Sequence, residues 1–242
     1  INTQRRNITD FIYGLISVIL CRAAYKKPDT RKEPLVSVLL VSYNRPEMVK
    51  EAIESVFNQT YQNFELIILD DNSNEETRRV IDQYLKNPKV RVYKSEVRDE
   101  DRWKMARYAV LINVGLEMAK GELISYLCDD DYYLPQRLEK MVKFLNEHPG
   151  VRVCYGRQLR LPVNKLRKPD RVLKKPRGFV DASSVMHYKS CVDELGNWDD
   201  VYYIPGADGP FWNKIGAKYP FYPIMEALDV RREHADSLTA KM

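Results

Sequence analysis

The chain has 242 residues, of which 44% are hydrophobic and 30% charged, and a formal net charge of +5. This balance supports one ordinary domain with a buried core and excludes disorder of the whole chain. Four cysteines stand apart with no C-x-x-C pair and no Cys/His zinc spacing, so a zinc module is not expected and a reduced, cytoplasmic protein is the simplest inference.

Residues 1–33 read as a basic, apolar extension and linker. Arg5, Arg6, Arg22, Lys26, Lys27, Arg31 and Lys32 flank the apolar run 11–21. A helix that spans a bilayer needs about 20 apolar residues. The run is therefore expected to be a helical packing segment or a membrane-surface contact. Residues 35–41 are a β-branched run of strand length, and Pro46 suits the first turn of the next helix. In that helix Val49, Ile53, Val56 and Phe57 share a face. Residues 64–69 form the next strand and 75–85 the next helix, with acidic residues in its first turn. A short strand at 90–93, a helix at 105–118, a strand at 123–127 and a helix at 134–147 complete the alternation.

Strand–helix alternation of this length predicts an α/β fold, with a mostly parallel central sheet flanked by helices. After Gly150 the regularity fades. The stretch 152–177 is basic, with Asp170 its one acidic residue, and an aromatic cluster comes after it. Basic surface attracts phosphates, anionic lipid or nucleic acid without distinguishing them and serves equally as a solvated face.

Ligands of open α/β sheets bind beyond the carboxyl ends of the strands. The first strand is followed there by Ser42, Tyr43 and Asn44, the second by Asp70, Asp71 and Asn72, and the fourth by Cys128, Asp129, Asp130 and Asp131. Three adjacent aspartates repel one another, and no neighbour in sequence relieves them. A divalent cation would, and Mg2+ or Mn2+ takes one or two carboxylates together with substrate phosphates. A helix N-cap cluster is the alternative. Neither G-x-G-x-x-G nor G-x-x-x-x-G-K-[ST] is present, which disfavours dinucleotide dehydrogenases and P-loop enzymes. Without a glycine cradle, a metal has to carry the charge of a diphosphate.

Several segments in order resemble family 2 glycosyltransferases of the GT-A fold, with the nearest pattern in members that build spore-coat polysaccharide. They are V-S-V-L-L-V-S-Y-N (36–44), L-D-D-N-S-N-E-E-T (69–77), R-Y-A-V-L-I-N (107–113), C-D-D-D-Y-Y-L-P (128–135) and S-V-M-H (184–187), with a weaker likeness at Y-P-F-Y-P (219–223). The resemblance covers the chain from about residue 34. It implies a nucleotide-sugar-binding half at 34–150 and an acceptor-binding half at 151–242 of one GT-A domain. The implied activity is metal-dependent, inverting transfer of a sugar from a UDP- or dTDP-sugar to a carbohydrate or other hydroxyl acceptor, in bacterial surface or spore-coat polysaccharide synthesis. The protein would be cytoplasmic, membrane-associated or spore-associated, with no nucleic-acid partner.

Residue by residue, the resemblance puts Val41, Tyr43, Asp71, Arg102 and Asp129 at the nucleotide. Tyr43 would stack on the pyrimidine, Asp71 would accept from the base, Arg102 would lie near base and phosphates, and Asp129 would contact the ribose. Asp130 would ligate the metal, with Asp131 and His234 as further candidates. Asp208, in G-A-D-G-P-F-W, would be the catalytic base, with Asp199 and Asp200 as substitutes.

Two departures stand out. Cys128 occupies a position where family members often carry aspartate, and Asp208 is displaced by one residue. A nucleotidyltransferase is disfavoured by the missing glycine-rich N-terminal loop. A catalytically silent carbohydrate-binding or coat-assembly protein with the same fold is the alternative. Among the late aromatics, Trp212 and Phe221 are expected in the core, Trp198 and Tyr202 at the acceptor, and His187 in a structural or acceptor-side role.

Overall fold

The computed structural model describes residues 33–162, 180–200 and 208–234. The expected N-terminal helix, the middle of the basic stretch, Tyr202 and Tyr203 lie outside the described residues.

Eight strands form one sheet in the order β3-β2-β1-β4-β7-β6-β8-β5. The first four are β1 (Val36–Ser42), β2 (Phe64–Asp70), β3 (Val90–Lys94) and β4 (Leu123–Cys128), and their mutual pairings are all parallel. Their connections are α1 (Pro46–Phe57), α2 (Glu75–Asp82) and α3 (Arg107–Met118). β1 reads V-S-V-L-L-V-S and is buried almost throughout, as a parallel strand covered on both faces must be. Its Val38 and Leu40 join the core under α1, α2 and α4 (Arg137–Glu147). Leu39 faces the opposite core, shared with α3 and α6 (Asp208–Lys218). Val49, Ala52, Ile53 and Val56 bury one side of α1, and each of the larger side chains contributes about 1.5–3 kcal/mol of burial free energy.

The predicted elements recur with two informative differences. The helix expected from residue 134 begins at Arg137. Leu134 is instead tied between two neighbouring segments: its N–H donates to the Leu228 carbonyl at 2.9 Å, and its carbonyl accepts from Gln59 Nε2 at 2.9 Å. Just before it, Asp131–Tyr133 forms β5, a three-residue strand antiparallel to β8 (Phe221–Glu233). The helix expected to reach residue 85 ends at Asp82.

Beyond residue 150 the sheet continues through β6 (Val153–Pro162), β7 (Val185–Tyr188) and β8, with α5 (Ser190–Leu195) between β7 and α6. β7 runs antiparallel to β4, and β8 runs parallel to β6 through a register shift near Tyr155 and Arg157. β8 carries the chain back to the end of β4, because Asp131 pairs with Arg231. Among the described residues, no helix is long and apolar enough to cross a membrane.

Candidate functional site

The carboxyl ends of β1, β2 and β4 lie side by side, and their loops are interlocked. Asn44 and Asn72, just past β1 and β2, both adopt left-handed backbone (φ 54° and 58°), a region asparagine tolerates better than most residues. The Asn44 N–H donates to Ser73 Oγ at 3.1 Å, and the Asn74 N–H donates to Asn44 Oδ1 at 2.6 Å. Asn74 also caps α2, accepting from the Thr77 N–H at 3.0 Å.

Tyr43 projects from the end of β1 and is 36% exposed. The Arg102 guanidinium lies over its ring at 3.8 Å from the centroid, a cation–π stack. Asp71 fixes this arginine, receiving Arg102 Nη1 at 2.5 Å on one oxygen and Arg107 Nε at 3.1 Å on the other. Asp99 adds a contact to Arg102 Nε at 2.9 Å. Tyr43, Asp71 and Arg102 thus lie together, and Arg107 joins them. The Asp71 carboxylate turns toward the arginines and is buried.

Asp129 is 2% exposed. Its Oδ2 accepts the Tyr43 N–H at 2.8 Å and its Oδ1 accepts Arg45 Nη1 at 2.7 Å, while its own N–H donates to the Val41 carbonyl at 3.0 Å. Burial pushes the Asp129 carboxyl up to about 6 against the opposing pull of Arg45. Asp130 is more open. Its Oδ2 lies 3.1 Å from His234 Nε2 and 3.5 Å from Arg45 Nη1. Asp131 turns inward, where its Oδ2 accepts from Ser183 Oγ at 2.9 Å and its Oδ1 from the Arg232 N–H at 3.3 Å. Burial, then the charges of Asp130 and Asp181, holds Asp131 well above the ordinary carboxylate range, and burial also raises the Cys128 thiol.

The fit of this group to a hard divalent cation rests on the donor set. Cys128, Asp130 and Asp131 each offer one ligand atom, all within 4.8 Å of one another, and of these the carboxylate oxygens suit a hard ion whereas the protonated thiol does not. Metal–ligand bonds of about 2.1 Å place neighbouring ligands of an octahedral ion about 3 Å apart, close to the 3.1 Å between Asp130 Oδ2 and His234 Nε2. A carboxylate oxygen with an imidazole nitrogen beside it suits Mn2+, and the carboxylates suit Mg2+ as well.

Asp208 opens α6. Burial pushes its carboxyl up to about 6; the Asp181 charge adds to the rise and Arg231 opposes it. Arg231 Nη1 pairs with Asp181 Oδ2 at 2.8 Å, and its charge is felt in turn by Asp131 and Asp130. The candidate base and the aspartates after β4 are therefore linked through Asp181 and Arg231. Asp200 is otherwise engaged, since its Oδ2 accepts from Asn113 Nδ2 at 3.1 Å.

Three findings go beyond the sequence. The three aspartates do have cationic relief, from Arg45, which pairs with Asp129 at 2.7 Å, and from Arg231, whose charge interacts with Asp131 and Asp130. Both arginines are remote in sequence from residues 129–131, so no local motif points to them. Trp198 is not an acceptor residue: it is 2% exposed and stacks on Phe211 at 4.5 Å, inside a cluster with Tyr126 and Trp212. His187 is structural. Its Nδ1 donates to the Tyr188 carbonyl at 2.8 Å, its Nε2 accepts from Tyr126 Oη at 2.6 Å, and burial lowers its pKa to about 4.

Known proteins resemble the chain in sequence and in fold. The family model described as glycosyl transferase family 2 matches residues 37–192. Protein CgeD of Bacillus subtilis is 39% identical over a 216-residue alignment that covers 84% of this chain and 51% of that protein, so the chain spans about half the length of this relative. The crystal structure of S. aureus TarS 1-349 in complex with UDP-GlcNAc has a similar fold, with a TM-score of 0.70 at 17% identity, covering 86% of this chain and 61% of that one. The mannosyltransferase PcManGT from Pyrobaculum calidifontis, in complex with GDP-Man and Mn2+, aligns with a TM-score of 0.62 at 17% identity over 96% of this chain and 67% of its own. With the family model matching well over half of its length, and the strand-end carboxylates on a fold shared with sugar-nucleotide complexes, the chain belongs to glycosyl transferase family 2.

Proposed function

We propose that the chain transfers a sugar, with inversion, from a UDP- or dTDP-sugar to a hydroxyl acceptor in the synthesis of a surface or spore-coat polysaccharide. The observation that carries this reading is the junction of β1 and β4. There the Tyr43 N–H on Asp129 at 2.8 Å joins a stacking ring to the Asp129–Asp130 pair. In this reading residues 34–150 form the donor half and 151–242 the acceptor half of one domain. Tyr43 stacks on the base with Arg102 behind it, and Val41, Asp71 and Asp129 shape the nucleotide site. A flat aromatic on a guanidinium suits a pyrimidine, whose face is its largest apolar surface.

Asp130 and His234 would hold the cation, with Asp131 beside them. A bound Mg2+ or Mn2+ neutralises charge on a departing diphosphate. Asp208 would accept the proton of the acceptor hydroxyl as that oxygen attacks the anomeric carbon. Its raised pKa leaves the carboxylate ionised at neutral pH and a stronger base than an exposed aspartate. Arg231, paired with Asp181, keeps positive charge beside it.

Titration calorimetry with UDP, dTDP and GDP, each with Mn2+ and with chelator, tests the reading. A pyrimidine diphosphate is expected to bind best, and more tightly with metal. Stronger binding of GDP would overturn the base assignment, and equal affinity in chelator would overturn the metal assignment. Asp130→Asn is expected to weaken UDP binding in Mn2+ while leaving the weaker binding in chelator unchanged, because it removes a charged ligand and nothing that contacts the base. An Asn variant that binds UDP in Mn2+ as the wild type does would remove Asp130 from the cation site.

A further inference from the structure

We propose that Arg45 binds the donor's diphosphate: its guanidinium rests on the Asp129–Asp130 carboxylates before donor and cation arrive and turns to the phosphates once they do. This inference rests on the nucleotide-sugar reading above.

The backbone fixes where Arg45 starts. It succeeds the left-handed Asn44 and precedes Pro46, the first residue of α1, and its own backbone, at φ −137° and ψ 73°, lies outside the helical region that a residue before proline avoids. Its side chain is thereby delivered to the edge where β1 and β4 end. There the two carboxylates hold it unequally. Asp129 Oδ1 accepts Nη1 at 2.7 Å, and with Oδ2 on the Tyr43 N–H this carboxylate has a partner on both oxygens. Asp129 is therefore an anchor for Arg45 and for the β1–β4 junction more than a free group facing solvent. Asp130 Oδ2 lies 3.5 Å from the same Nη1, beyond good hydrogen-bond length, and also faces His234. The Asp130 contact is the one a competing cation displaces most readily.

Charge then drives the exchange. A divalent cation on Asp130 would stand within a few ångströms of the Arg45 guanidinium, and like charges that close repel strongly in a partly buried site. The same ion brings a diphosphate with it, and a planar guanidinium matches phosphate oxygens in fork geometry. The Arg45 side chain is 24% exposed, so it meets the open side of the site while anchored from behind. Before the donor binds, Arg45 offsets the repulsion of Asp129 and Asp130. Afterwards it neutralises the phosphates.

Two affinities of the full chain test this: Mn2+ alone, by electron paramagnetic resonance, and UDP in saturating Mn2+, by calorimetry. Arg45→Gln is expected to bind UDP about 10–100-fold more weakly, the usual worth of a hydrogen bond to a charged group, while binding Mn2+ alone as tightly as the wild type or more tightly. Arg45→Lys, which keeps the charge without the fork, is expected to fall between. Unchanged UDP affinity in Arg45→Gln overturns the proposal. So does a parallel loss of UDP and Mn2+ affinity in both variants, which would mark Arg45 as a structural anchor only. If the wild type itself binds no UDP with or without Mn2+, the donor reading fails and this inference with it; wild-type binding with an unaffected Gln variant removes this inference alone.

Discussion

Asp208→Asn is expected to slow sugar transfer by about 10²–10⁴, the usual worth of a general base, with affinity for UDP and Mn2+ unchanged. The prediction separates two carboxylate roles by position. Asp130 comes after β4 at the nucleotide edge, whereas Asp208 opens α6, in the later half of the domain. The first turn of a helix favours an anion, yet burial and the Asp181 charge outweigh that and push the Asp208 carboxyl up to about 6. A base must be ionised to accept a proton. Transfer by the wild type should therefore rise with pH through about 6 and then level off, and the Asn variant should lack that rise. Initial rates from pH 5 to 8, with UDP release as the readout, check both points. Full activity in Asp208→Asn together with loss in Asp199→Asn or Asp200→Asn would move the base. The Asn113 contact already commits Asp200 elsewhere. Unchanged rates in all three variants would place the base on another residue, whereas no transfer by the wild type with donor still bound would favour the silent carbohydrate-binding alternative.

How far this site could be read from sequence depended on whether its parts are local. The strands β1 to β4 are local objects, and so are their ends: Tyr43, Asp71 and Asp129–Asp131 each sit just past a strand-length apolar run. Strand direction places such residues at the edge of a parallel sheet whatever the rest of the chain does. The arginines that organise those carboxylates are not local. Arg45 reaches Asp129 across 84 positions, and the Arg232 N–H reaches the Asp131 carboxylate across 101. Such pairs depend on the sheet order, which periodicity does not give. The misplaced acceptor residue, Trp198, has the same origin. An aromatic next to Asp199 and Asp200 looks exposed in sequence, but the packing of α6 on the sheet encloses it against Phe211 and Trp212. β5 was hidden because its three residues become a strand only when β8 pairs with them.

Arg137→Met is expected to destabilise the fold by about 3–5 kcal/mol at neutral pH, a large share of the roughly 5–15 kcal/mol typical of a domain. Arg137 opens α4 yet is fully buried, with Nε 3.5 Å from the equally buried Asp229. Its Nη1 donates to Ser125 Oγ at 2.7 Å, its Nη2 donates to the Ser183 carbonyl at 2.7 Å, and its guanidinium covers the Tyr133 ring at 3.9 Å. One side chain thus ties β4, β5 and β8 to the short turn at Ala182–Ser184, whose Ser183 hydroxyl holds Asp131. The pH dependence identifies the cause. Burial pushes the Asp229 carboxyl up to about 7, with Arg137 pulling it back, so removing the arginine raises it further. A carboxyl raised above its unfolded value binds its extra proton in the folded state, and stability then falls as pH rises toward the folded pKa. Below about 7 both proteins carry the proton, and the gap between them stays constant. Above about 7 only the variant still holds it, so the gap should widen by about 1.4 kcal/mol per pH unit. Urea unfolding at pH 6, 7 and 8 measures this directly. A loss that is the same at all three pH values would assign the damage to the lost hydrogen bonds to Ser125 Oγ and the Ser183 carbonyl and not to the charge of Asp229.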